Sequence, residues 1–115
     1  MIKLTIPGNP ISVNHYLGNY TLGKRVVRFK TKKAKEYQEL CKKIYKGKIQ
    51  KSKLKMSIFL FFGDKRRRDV DNYSKVILDS LQGIAYDDDS QIYELFVKKE
   101  IDKNNPRVEV ELGVI

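Results

Sequence analysis

Asp69 and Asp71 stand one residue apart, directly after the densest run of positive charge in the chain, Lys65, Arg66, Arg67 and Arg68. In extended or turn backbone, residues i and i+2 project to the same side, so two such carboxylates could share a divalent cation. Acids at a helix start also accept orphan backbone N–H groups and suit the positive end of the dipole, for about 0.5–2 kcal/mol. One aspartate does that job, and the second is surplus to it. Lys75 follows Asp71 by four residues, one helical turn on. It reads either as an i,i+4 ion-pair partner or as a cation aimed at phosphate. A second acidic group, Asp87, Asp88 and Asp89, has the residue types of a polar turn. Three consecutive carboxylates repel one another, however, and a bound cation would relieve that. A hard ion such as Mg²⁺ uses one or two carboxylates together with water and substrate phosphate.

Metal-binding acids beside a basic run make sense when the ligand is itself a polyanion. Arginines would grip a phosphate backbone with their planar donor forks, while the acids hold Mg²⁺ against one phosphodiester. With no serine–histidine pairing in view, hydrolysis by metal-activated water is the chemistry this set supports. The same residues admit a second reading, a non-catalytic basic module for branched DNA or structured RNA, in which the acids only cap and turn.

The charge distribution favours a polyanionic partner under either reading. The 115 residues carry a net charge of +10. Residues 24–75 hold 19 Lys/Arg against 5 Asp/Glu, a net of +14, whereas residues 76–115 hold 4 against 9, a net of −5. A basic middle of that size is an electrostatic footprint for nucleic acid. The length suits one domain spanning 1–115, with 41% hydrophobic residues to build its core. No apolar run is long enough to span a membrane and no signal peptide is readable, so a cytoplasmic location is expected. A lone Cys41 excludes an intrachain disulfide and is poor zinc equipment. His15, the single histidine, sits in an N-terminal loop with Asn14.

The elements that must position these groups follow from periodicity. "IKLTI" (2–6) alternates as a strand, and "PGNPISVNHY" reads as a loop. "KRVVRFK" (24–30) has the residues of a short strand. Thr31 is a good N-cap for an amphipathic helix carrying Ala34, Tyr37, Leu40, Cys41, Ile44 and Tyr45 on one face and lysines on the other, ending near Gly47. "LKMSIFLFFG" (54–63) is apolar on both faces, which predicts a strand inside a sheet covered, at least locally, on both sides. A second helix is expected over 69–83, then a turn, then strands at 92–101 and 107–114. The turn residues "DKNNP" between the last two predict an antiparallel hairpin. The fold class is α+β, a mixed sheet of about four to five strands packed with two main helices. Tyr16 and Tyr20, beside basic residues, are the tyrosines best placed to stack on exposed bases.

"RRRDVDNYSK" followed by "LDSLQGIAYDDDSQI" resembles the RusA family of Holliday-junction resolvases. The likeness is closest over 66–92 and looser over the first strand and the "PISVNHY" loop. It implies a RusA-like nuclease fold, and a Mg²⁺-dependent endodeoxyribonuclease (Mn²⁺ able to substitute) acting as a homodimer. Such an enzyme resolves four-way DNA by paired symmetric nicks in recombination and repair. Matched residue by residue, Asp69, Asp71 and Asp89 would be the metal-binding catalytic carboxylates, with Asp88 a weaker candidate. Lys75 would be the cation at the scissile phosphate. Asn72 and Arg68 match the motif as supporting or DNA-contacting residues, and Lys65, Arg66, Arg67 and Asn14 would contact DNA. A two-fold dimer fits a junction of approximate two-fold symmetry.

Overall fold

A computed structural model covers residues 1–115. Four strands form one mixed sheet in the order β1-β6-β4-β5: β1 (Ile2–Pro7), β4 (Leu54–Phe62), β5 (Ile92–Ile101) and β6 (Arg107–Val114). A separate antiparallel ribbon joins β2 (Leu17–Leu22) to β3 (Arg25–Lys30). Three α-helices complete the fold: a single turn, α1 (Val13–Tyr16), then α2 (Lys32–Ile44) and α3 (Val70–Leu81).

β6 runs antiparallel to both of its neighbours, pairing Val110 with Leu4 on one side and with Ile58 on the other. Its strict alternation explains the central place: Val108, Val110 and Leu112 are all buried. β4 pairs with β5 in parallel, from Leu54–Ile92 to Phe62–Ile101. Parallel neighbours need a crossover, and α3 supplies it. α2 and α3 pack on the face that carries Leu4, Ile6, Met56, Ile58, Leu60 and Val110. Thr31 caps α2 as its sequence predicts, its Oγ1 accepting from the Ala34 N–H at 3.2 Å.

Three expectations are corrected. The last two strands do not form a hairpin. β6 lies on the far side of β4 from β5, because turn chemistry specifies a chain reversal and not a neighbour. β6 has the apolar alternation for the sheet centre, whereas β5, with Glu94, Lys98, Lys99 and Glu100, takes the edge. The sheet is covered by helices on one face only. On its other face Phe59 and Phe61 stay half-buried, screened by side chains: Phe96 lies 6.0 Å from Phe59, and the Arg107 guanidinium sits 3.8 Å over Phe61. Finally, "SVNHY" is not wholly loop, since it contains α1.

Candidate active site

β4 delivers the chain to the site, and Phe62 at its end begins the anchoring of the basic run. Tyr73 meets the Phe62 ring edge-on at 4.9 Å, fixing the first turn of α3 against the sheet. The Arg68 guanidinium lies 4.3 Å over the same ring, pairs with Asp64 at 2.8 Å and donates to the Asp64 and Arg66 carbonyls. Arg68 is therefore turned inward, its side chain only 15% exposed, and organises the loop. The Arg68 carbonyl in turn accepts from Lys99 Nζ at 2.8 Å, tying the loop to β5. Asp64 holds Arg66 more loosely at 3.7 Å, and its carboxyl is kept below the usual carboxylate range by the Arg66 backbone N–H and the Arg68 guanidinium. Lys65 and Arg67 make no ion pair, so of the four cations these two face outward with their charge unspent. Together with Phe62, Asp64, Lys99, Glu100 and Ile101 the run lines one cleft.

Asp69 occupies the N-cap position of α3, yet its side chain accepts no capping hydrogen bond. Asp71, in the first turn, is likewise without a cationic or hydrogen-bonding partner for its carboxylate, and Lys75 does not close on it. The helix-capping explanation for the acid pair thus fails at the side-chain level for Asp69. Both residues are exposed, and Asp69 lines a second cleft region together with Ser12, Asn14, Arg67, Arg68, Asn72 and Tyr73. Two free carboxylates beside polar side chains suit a hard cation that keeps part of its water shell.

The three acids of the second cluster separate cleanly. Asp87 pairs with Lys51 at 2.7 Å. Asp88 caps the 3₁₀ turn Asp89–Gln91, accepting from the Ser90 N–H at 3.0 Å in a capping box with Gln91, and that backbone donor lowers its pKa. Asp89 has no cationic partner. Burial raises its pKa first, with the Asp88 and Asp79 carboxylates adding to the rise.

The two acidic groups do not meet within one chain. The Asp89 N–H donates to Gln82 Oε1 at 3.1 Å, which fixes Asp89 at the C-terminal end of α3, whereas Asp69 and Asp71 stand at its N-terminal end. A helix of 12 residues is about 18 Å long. No three His, Cys, Asp or Glu side chains of the single chain are grouped to hold a metal ion.

Other candidates are redistributed. Tyr16 is buried, not available for stacking; its hydroxyl donates to Asp79 at 2.5 Å, and Lys30 pairs with the same carboxylate at 3.2 Å. Tyr20 is half-exposed on the β2–β3 ribbon, 5.9 Å from Phe29. His15 contacts Ser12 Oγ at 3.2 Å. Asp64, Asp79 and Lys99 are not among the sequence candidates: Asp64 pairs with Arg68 from just outside the motif, while Asp79 and Lys99 meet partners distant in sequence, Tyr16 and the Arg68 carbonyl.

A family model described as Endodeoxyribonuclease RusA matches residues 7–113. No curated protein matches the chain. The chain belongs to the RusA endodeoxyribonuclease family, whose activity is the resolution of Holliday junctions.

Proposed function

We propose that this RusA-family chain is a Mg²⁺-dependent structure-specific endonuclease that resolves four-way DNA by paired symmetric nicks, working as a homodimer. The observation that carries the reading is the state of Asp69 and Asp71: adjacent carboxylates, free of protein cations, beside unpaired Lys65, Arg67 and Lys75. Asp69 and Asp71 would hold the ion; Asp89, at the opposite end of α3, would join them only from the second subunit of the homodimer. The ion, when bound, supplies charge neutralisation at the phosphodiester and a more acidic water.

The chain's own residues divide the remaining work. Lys75 projects from α3 one turn beyond Asp71 and would sit against the scissile phosphate, offsetting charge that builds in the transition state. Lys65, Arg66 and Arg67 would hold flanking phosphates, and Asn14 and Asn72 would position the backbone from the cleft rim. Arg68 would act indirectly, by presenting the loop that bears its neighbours.

The test is purified protein with a synthetic mobile four-way junction, with and without Mg²⁺, and products mapped at nucleotide resolution. Symmetric nicks in two strands of like polarity are expected only with metal. Asp71→Asn should lower cleavage at least ~100-fold, the scale of loss when a transition-state charge contact is removed, while junction binding persists. Binding without incision under Mg²⁺ or Mn²⁺ would overturn the reading in favour of a non-catalytic module.

A further inference from the structure

We propose that the β2–β3 ribbon is a nucleic-acid arm whose aromatic face stacks on unpaired bases at a DNA branch point, while cations on the ribbon hold the adjoining phosphates. The inference rests on the chain acting on branched DNA, as proposed above, and not on the metal chemistry. The ribbon spans residues 17–30 and shares no residue with the acid pair or the basic run beside it.

Three observations carry it. First, the ribbon holds an open aromatic face. Its strands pair only with each other, Tyr20 opposite Val27 and Gly18 opposite Phe29. Residues directly opposite share a face, so Gly18, Phe29, Tyr20, Val27, Leu22 and Arg25 lie on one side. On that side Tyr20 is 51% exposed, Leu22 61% and Phe29 45%. A two-stranded ribbon alone is marginal in water, and large apolar residues left open together mark a surface that meets a ligand. The ribbon arranges its rings without help from the core. A Cβ at Gly18 would meet the Phe29 ring at 2.6 Å, and Tyr20 stands 5.9 Å from Phe29. The missing side chain at position 18 leaves room for one ring over the ladder and a second beside it.

Second, charge selects the occupant. The first 35 residues contain no Asp or Glu. Lys24 and Arg25 at the tip and Arg28 in β3 are exposed and make no ion pair. Lys30, at the base, is the ribbon's one neutralised cation, 3.2 Å from Asp79. Open rings flanked by unpaired cations suit unpaired nucleotides, since every base has a π-face and every nucleotide a phosphate. A regular duplex offers only base edges in its grooves and keeps the faces stacked. Faces come free where pairing stops, as it does at a branch. Third, the ribbon is rooted beside the acids. Asn14 lines the cleft with Asp69 and Asn72, and β2 starts three residues on. At the root the Thr31 N–H donates to the Tyr16 carbonyl at 3.1 Å, and the Lys30–Asp79 pair ties β3 to α3. Six residues of strand reach about 20 Å from there, the rise of about six nucleotides.

Fluorescence anisotropy of the intact protein in EDTA tests the arm without reference to cleavage. Labelled oligothymidylate is compared with a fully paired duplex of equal length at one stated salt. Tyr20→Ala should weaken oligothymidylate binding about fivefold or more and leave duplex affinity near its wild-type value. Tyr20→Phe keeps the ring and should keep the affinity. Arg28→Ala should weaken both ligands and lower the log–log salt slope by about 1. A second readout does not depend on truncating a side chain. The chain has no tryptophan, so emission from a Tyr20→Trp variant reports on that position alone. Oligothymidylate and a four-way junction should quench it more than the duplex does. Equal losses on both ligands in Tyr20→Ala, or quenching by the duplex as strong as by oligothymidylate, would mean that the ribbon reads backbone alone, and overturn the inference. Undiminished oligothymidylate binding by Tyr20→Ala/Phe29→Ala overturns it too. If that double variant also sediments at a lower mass than wild type, a second copy of the chain covers the face instead. A wild type that binds and cuts junctions but is indifferent to the ribbon substitutions sinks this inference alone. A wild type that binds no DNA sinks the nuclease reading with it.

Discussion

At the scale of single residues, the basic run divides by what each side chain touches. Arg68 is turned inward onto Phe62 and Asp64, whereas Lys65 and Arg67 make no ion pair within the chain. Arg67→Ala should therefore weaken junction binding across all sequences and reduce the log–log salt slope by about 1, read from titrations over a range of salt. The acids divide in the same way. Asp69, Asp71 and Asp89 stood out in the sequence through motif and spacing, but their freedom from partners did not. That depends on Lys51 taking Asp87 and on the Ser90 N–H taking Asp88, contacts that spacing cannot forecast. Away from the site, the Arg107 guanidinium holds the Asp102 carboxyl below the usual carboxylate range. A lowered folded-state value means stability present above the unfolded value of about 3.9 and lost as pH falls through the folded one. Asp102→Asn should lower the thermal midpoint at pH 7 and flatten its decline toward pH 2, by scanning calorimetry.

At the scale of elements, the long periodic segments were legible and the short or edge ones were not. α2 and α3 fall close to their predicted spans because caps and a 3.6-residue apolar period coincide there. Thr31 carries unusual weight: besides capping α2, its hydroxyl donates to the His15 carbonyl at 2.7 Å, joining α2 to α1. Thr31→Ala should cost about 1 kcal/mol in urea unfolding. β2 escaped notice because its residues lack apolar alternation, although the tight Gly23–Lys24 turn, with Gly23 at φ +62, is a hairpin signal. The partner of β5 was unreadable for another reason. Strand pairing is decided by which strand best fills the centre, and Val108, Val110 and Leu112 win that competition from the last segment of the chain.

At the scale of the whole molecule, stability concentrates where β4 and β6 meet the helices. Ile58 is fully buried between them, and Ile58→Ala should cost 2–5 kcal/mol, measured by equilibrium denaturation. Against a typical total of 5–15 kcal/mol, that change should also lower the cooperative midpoint for every probe at once, because one core serves the whole sheet. The central position of β6 has a consequence for folding. β1 and β4 are joined only through a strand that follows both in sequence, so the sheet closes through contacts between distant segments and should form slowly beside the local turns of α2 and α3.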